Sequence, residues 1–223
     1  MSEEAKAAQE IAKATGKGIE AATQMGSFLQ TVFGEALIEY GRSWHDKSKL
    51  YRYKNFLNIM DKVLEIHRGR RAEGKPIPIT PRFAIPLMWH ASLEDEKSVQ
   101  EMWASLIANA TDSDKRLNIK KVFVDILSNL EPIDTLVLRD VYSLGNMFRG
   151  KGHKRNVHKL SKQLDVVISE IDMSLMNLVR LGCIVEDKGE SVKIPGYRHA
   201  FSRDNFLYSL TPLGRLLMTA CEA

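Results

Sequence analysis

Six histidines and two cysteines are the residues of this chain best suited to acid–base, nucleophilic or metal chemistry: His45, His67, His90, His153, His158, His199, Cys183 and Cys221. Their spacing favours none of the three. Cys183 and Cys221 fall outside any CxxC or related metal pattern and suit a reducing compartment. His153 and His158 form a close pair, but five residues apart in a glycine- and lysine-rich loop they miss the one-face geometry of an i, i+4 pair. A solvated basic loop is the expected outcome there. His90, near Glu94, is expected to be a partly buried packing histidine. No GxxxxGK[ST] phosphate cradle, GxSxG nucleophile turn or HExxH zinc helix occurs. Neighbouring carboxylates such as Glu94 and Asp95 stand at an expected helix start, where the helix dipole accounts for them. The chain therefore reads as a non-enzyme, with no metal and no cofactor expected.

Binding chemistry is better represented than catalytic chemistry. Arg149, Lys151, Lys154, Arg155 and Lys159 form a basic cluster that, with Asn177 and Arg180 of a following helix, makes a candidate nucleic-acid-binding set. That following helix also offers Glu170, Asp172 and Met173, and carboxylates facing phosphate oppose the electrostatic attraction on which such binding depends. It is therefore read first as a packing or partner-binding element. Arg42 to Lys54, RSWHDKSKLYRYK, interleaves basic and aromatic residues in the manner of a single-strand binder. A basic turn between helices is the favoured reading. The net charge of +4 is mild and decides between none of these.

The elements that must position these residues follow from apolar spacing. Hydrophobic content of 44% and charged content of 27% over 223 residues are those of a folded chain large enough for one or two cores. The start, MSEEAKAAQE, lacks a secretory pattern, and no apolar run approaches the roughly 18 residues of a membrane span. Residues 1–24 are expected to be a mobile terminus, interrupted by Gly16 and Gly18. From Met25, the stripe Phe28, Leu29, Val32, Phe33, Ala36, Leu37 and Tyr40 predicts an amphipathic helix that packs as core. A membrane-lying helix is the alternative. A second helix is expected from Asn55, with Phe56, Ile59, Met60, Val63 and Leu64 inward, pairing antiparallel with the first; Arg68 to Lys75 then reads as a linker.

The stretch from Pro76 to Thr111 predicts two helices. Phe83, Leu87 and Ala91 stripe the first; Val99, Met102, Trp103, Leu106, Ile107 and Ala110 stripe the second. Ser92, followed by Glu94, Asp95 and Glu96, is expected to cap the start of the second. Asp112-Ser113-Asp114 is read as a turn and N-cap for a helix bearing Ile119, Val122, Phe123, Ile126, Leu127 and Leu130, expected to pack on Trp103. Asp134 is expected to cap the next, whose apolar positions include Leu136, Val137, Val141, Tyr142 and Leu144. The expected core includes Phe83, Leu87, Trp103, Leu106, Ile107, Phe123 and Ile126. In the last third, Leu175, Leu178 and Val179 should bury one helical face and Gly182 should stop that helix. Cys183–Glu186 and Ser191–Ile194 should form a hairpin, and Thr211 should cap the final helix.

Two resemblances attach to these residues. The run IPITPRFAIPLMWHASLEDEKSVQEMWASLIANATD, followed by VFVDILSNLEPIDTLVL, resembles the Abi-alpha family of bacterial abortive-infection proteins over about 76–137. It implies a role in phage defence, by sacrifice of the infected cell, and brings no catalytic residues. Abortive-infection proteins are often ribonucleases, but the HEPN ribonuclease spacing, an arginine followed after four to six residues by a histidine, is absent. Arg149 to His153 leaves three intervening residues, Arg149 to His158 eight and Arg82 to His90 seven, so none fits. The run KLSKQLDVVISEIDMSLMNLVRLGCIVEDKG, with YSLTPLGRLL, resembles a winged helix of the bacterial regulator type.

The expected fold is mostly α: a helical bundle over 25–131 followed by a winged-helix-like module over 132–223 with one small β-hairpin. The expected function is phage defence by binding, as sensor or non-enzymatic effector, in the cytoplasm and with membrane association as an open variant. A winged-helix nucleic-acid-binding regulator and a membrane-acting toxic effector are the alternatives. The partners expected are a phage or host protein, with nucleic acid, peripheral membrane contact and a homo-oligomer left open.

Overall fold

The computed structural model describes residues 19–42, 48–70, 76–115, 120–147, 155–188 and 206–222. Among them it is mostly helical, with one small two-stranded antiparallel sheet near the C-terminus. Of the expectations above, the terminus before residue 19, the residues Ile119, Arg149, Lys151, Lys154, His45, His153 and His199, and the strand Ser191–Ile194 lie outside the described residues. So do the side chains of Leu37, Tyr40 and Leu144. The chain divides into two units, Met1–Asn129 with Ala220–Ala223, and Leu130–Thr219.

The first unit is helical throughout its described elements: α1 (Ile19–Arg42), α2 (Ser48–Gly69), α3 (Pro81–Ala91), α4 (Lys97–Thr111) and α5 (Lys121–Leu127). The α1 stripe is core: Phe28, Leu29, Val32, Phe33 and Ala36 are all buried. α1 breaks at Gly34, whose φ of 46° belongs to the left-handed region. Two residues before the break, the Val32 carbonyl accepts a 2.9 Å hydrogen bond from Ile79 N–H. Ile77 N–H reaches Thr111 O at 2.8 Å, so the Pro-Ile-Pro-Ile run is stitched down through both of the donors its isoleucines possess.

α1 and α2 do meet antiparallel, through Phe28 on His67 and an edge-on pair of Phe33 and Phe56 at 5.6 Å. Their more extensive partners are other helices, α3 for α1 and α4 for α2. α4 is the hub. Val99, Gln100 and everything from Met102 to Asn109 is buried, Trp103 included, so this helix is covered nearly all round. α5 packs on α3 and α4.

Several local expectations need correction. The buried face of α3 is Ala84, Leu87, Met88 and Ala91, and Phe83 is only half-buried, because the face is rotated by one residue from the stripe expected. Ser92 ends α3 instead of starting α4. Its hydroxyl donates to Trp89 O at 2.9 Å, while α4 begins at Lys97, with Glu96 at its N-cap making no side-chain cap. Asp112 likewise makes a turn, accepting from Asp114 N–H at 2.9 Å, and Lys120 stands at the N-cap of α5 without side-chain help. α2 starts at Ser48, so the Tyr51–Lys54 part of the basic aromatic segment is helix and not turn.

The second unit contains α6 (Pro132–Met147), α7 (Val157–Leu164), α8 (Ile168–Arg180), β1 (Ile184–Lys188), β2 (Phe206–Leu210) and α9 (Pro212–Ala220), the last residue of α9 belonging to the first unit. Asp134, third in α6, accepts from Glu131 N–H at 2.8 Å, one half of a capping box. The buried face of α8 is Ile171, Ser174, Leu175 and Leu178; Val179, expected there, is exposed. Gly182 stops α8 as expected: with φ of 71°, its N–H bonds Val179 O and the next N–H bonds Leu178 O, the Schellman pattern.

β1 pairs antiparallel with β2, Ile184 opposite Leu210 and Lys188 opposite Phe206. Among the described residues the strand paired with β1 is Phe206–Leu210. Arg155 adds one further rung, bridging Tyr208 through reciprocal backbone bonds of 3.1 and 2.8 Å. Thr211 caps α9 by accepting from Gly214 N–H at 2.9 Å, and its hydroxyl donates to Gly182 O. A Cβ at Gly214 would stand 2.0 Å from the Cys183 carbonyl oxygen, so the Leu-Thr-Pro-Leu-Gly run requires its glycine for this close approach.

Candidate functional site

Four of the candidate nucleic-acid residues fall on described parts of the second unit, and each has a definite role there. Arg155 faces Asp140 bidentately, Nε to Oδ2 at 2.7 Å and Nη2 to Oδ1 at 3.2 Å, and Nη2 also donates to Gln163 Oε1. Asp140 is buried, so the Arg155 charge is matched inside the fold and its geometry is fixed. Lys159 is exposed on α7, with its backbone N–H satisfied by Asn156, the N-cap. Asn177 and Arg180 act together: both Nε and Nη2 of Arg180 donate to Asn177 Oδ1, at 3.1 and 2.7 Å. Asn177 in turn donates to the buried Asp134 carboxylate at 2.7 Å.

α7 and α8 are joined by a tight turn. Asp165 takes the left-handed conformation at the end of α7, and the Ser161 hydroxyl donates to Val166 O across the turn. α8 then runs for 13 residues with one face inward. At helical spacing the line opposite that buried face is Ser169, Met173, Met176 and Arg180. Met173 is 72% exposed and Met176 52%. Glu170 and Asp172 flank the line near the start of the helix and Arg180 ends it, the arrangement the helix dipole favours. Two methionines more than half exposed thus stand on the most outward line of the helix.

Elsewhere, side chains with chemical potential are occupied by structure. Arg52 is buried: Nη2 donates to Trp89 O at 2.9 Å, Nε to Ser92 Oγ at 3.2 Å, and its guanidinium lies 3.9 Å from the Trp89 ring centroid. Tyr51 donates to Asp95 at 2.7 Å, and that bond raises its pKa. The two sequence neighbours that suggested base stacking thus anchor the α3–α4 connection. Burial pushes the Cys183 thiol up to about 12, with the Asp134 charge adding to it, so this thiol is protonated and unreactive at neutral pH.

A polar cluster in the first unit escaped sequence reasoning. Asn109 Oδ1 accepts from Arg70 at 2.7 Å and Lys115 at 3.0 Å, while its Nδ2 donates to the carbonyls of Ala220 and Glu222, both at 2.8 Å. All four hydrogen-bonding positions of that amide are filled. Arg70 also pairs with Asp112 at 3.3 Å. Thr111 donates its hydroxyl proton to Ile107 O, which makes His67 Nε2 the donor in its 2.9 Å bond to Thr111 Oγ1. The only sequence signal was the run of polar types, Asn109, Thr111 and Asp112, ending an otherwise apolar helix. The cluster ties the chain's last residues to α4.

Among the described residues, no group of three or more His, Cys, Asp or Glu could hold a metal ion, and no helix is long and apolar enough to cross a membrane. An open groove of about 570 Å³ carries Thr23, Gln24, Ser27 and Thr31 of α1 on its lining, with Phe28 and Leu64, and no charged group.

The model of the abortive infection alpha family matches residues 50–221, more than half of the chain, and the protein belongs to that family. Searches of curated proteins and of solved structures returned no match.

Proposed function

We propose that this protein serves phage defence of the abortive-infection kind in the bacterial cytoplasm, and that it acts by binding a protein partner through the outward face of α8. Family membership supplies the biological setting. The observation that carries the binding surface is the exposure of Met173 and Met176 on that face. Methionine is flexible and polarisable, and exposed methionines recur on surfaces that adapt to a protein partner. Glu170 and Asp172 beside them repel phosphate, which weakens a major-groove role for the same helix. Bacteria expressing the chain and challenged with a broad phage panel should give fewer plaques than bacteria without it. Unchanged plaque counts and unchanged survival across the panel would contradict the proposal.

A second reading, a nucleic-acid-binding regulator, is favoured by one observation: α7, a tight turn and α8 are followed by a hairpin, the element order of a winged helix. Arg149, Lys151, Lys154, Arg155, Lys159, Asn177 and Arg180 would then face the nucleic acid. Because Arg155 is held by Asp140, the test belongs on the others. Neutralising Arg149, Lys151, Lys154 and Lys159 should abolish binding and flatten its salt dependence. Absence of binding by the parent protein at low salt would dismiss this reading.

A further inference from the structure

The outward line of α8 is self-complementary. It carries Met173 and Met176 at its centre and Arg180 at its end, with Glu170 on one flank toward its start. With a rise of about 1.5 Å per residue, a two-fold axis placed midway between the methionines leaves Glu170 about 7 Å to one side and Arg180 about 8 Å to the other. Turning a second copy about that axis brings its Arg180 to within about 1.5 Å, along the helix, of the level of Glu170. Each Met173 then faces the other copy's Met176.

The flanks agree as well. Such an axis sets a given flank of one helix beside the same flank of the other. Glu170 and Asn177, two turns apart, share one flank, and it is toward Asn177 that the Arg180 guanidinium leans, at 2.7 Å. The cation is therefore already held on the side where the second copy's Glu170 would arrive. A parallel arrangement would instead set Glu170 beside Glu170 and Arg180 beside Arg180, like charge against like.

We infer that the partner of the α8 face is a second copy of this chain, docked antiparallel about a two-fold axis with a methionine centre and two Glu170–Arg180 pairs. The inference rests on the proposal that this face binds protein. A single helix face about 20 Å long buries less than the roughly 1,000 Å² of a stable interface, so the dimer should be weak and concentration-dependent.

Sedimentation velocity of the full chain from roughly 1 to 200 μM tests it. The parent should move from monomer to dimer across that range. Glu170→Arg and Arg180→Glu should each remain monomeric, and an equimolar mixture of the two should dimerise again, because both pairs regain opposite charges only in the mixed dimer. Repair by mixing also distinguishes a lost contact from a damaged fold. A parent monomeric at the highest concentration, or single variants that mixing does not repair, would overturn the inference. Should the parent stay monomeric while Met173→Lys with Met176→Lys still abolishes protection, the face binds a different protein and only self-association falls. Should it dimerise while that pair of changes leaves protection intact, the dimer stands and the role of this face in defence falls.

Discussion

Replacing Phe33 by aspartate separates a core helix from a membrane-acting one. Phe33 is 2% exposed and packs edge-on against Phe56 at 5.6 Å. Removing the ring should cost about 3–5 kcal/mol, the range for deleting a buried aromatic side chain. The introduced carboxylate would lie against the Phe56 ring, and burying it adds a few kcal/mol or forces it to stay protonated. The sum, about 5–8 kcal/mol, is comparable with the whole stability of about 5–15 kcal/mol expected of a domain. Phe33→Asp should therefore unfold the first unit at neutral pH, whereas Phe33→Leu should cost only about 1–1.5 kcal/mol. Acidification offers an internal control. A buried carboxyl has a raised folded pKa, so the penalty relative to the parent should shrink as pH falls toward about 4. Thermal melts followed by circular dichroism would report all three. A Phe33→Asp melt within about 2 °C of the parent would refute the burial argument, and the amphipathic stripe of α1 would then be free to act on a membrane.

Three further outcomes follow from single sites. Gly214→Ala would place its Cβ 2.0 Å from a backbone carbonyl, so it should cost at least about 2 kcal/mol, while Gly34→Ala, with no atom within 4 Å, should cost the strain of its positive-φ, negative-ψ backbone alone, about 1–3 kcal/mol; urea midpoints would measure both. Among the described residues Ser174 Oγ is buried without a hydrogen-bond partner, so Ser174→Ala should be neutral or stabilising by up to about 1 kcal/mol, and a clear loss in the same assay would mean the hydroxyl has a role. His67 and His90 have pKa values lowered, first of all by burial. A lowered histidine pKa means the unfolded chain binds more protons, so their contribution is full above about pH 6.5 and is lost as pH falls below it toward the folded values. Urea midpoints should drop between about pH 7.5 and pH 5, less steeply in His67→Gln; a flat profile would contradict it.

The parts of this fold legible in sequence are those set by local periodicity or by a residue with a single conformational use. The stripe of α1, the apolar stripe of α4, the glycine that ends α8 and the threonine that opens α9 all belong here. What misled was local chemistry decided by distant partners. Ser92, ahead of three carboxylates, looks like an N-cap, yet Arg52, forty residues earlier, takes its oxygen, and the serine closes the preceding helix instead. Phe206–Leu210 pairs with β1 although the two are far apart in sequence, because it leads directly into Thr211 and Gly214, whose bonds to Gly182 and close approach to Cys183 fix the register. Phe83 was placed on a four-residue step, whereas the face of α3 follows Ala84, Leu87, Met88 and Ala91, the true helical spacing. For the candidate site, residue types on α8 were readable, but the sidedness that exposes both methionines and turns Val179 outward required the packing of Ile171, Leu175 and Leu178.

The most direct measurement is phage challenge of cells expressing Met173→Lys with Met176→Lys, set beside the parent. Both side chains are exposed, so the fold and its melting temperature should be unchanged. Two added cations interrupt an apolar protein contact but favour any contact with phosphate. Loss of protection with an unaltered melt is the result predicted for a protein-binding face. Protection retained or strengthened, together with tighter nucleic-acid binding at low salt, would contradict it and assign α8 to nucleic acid.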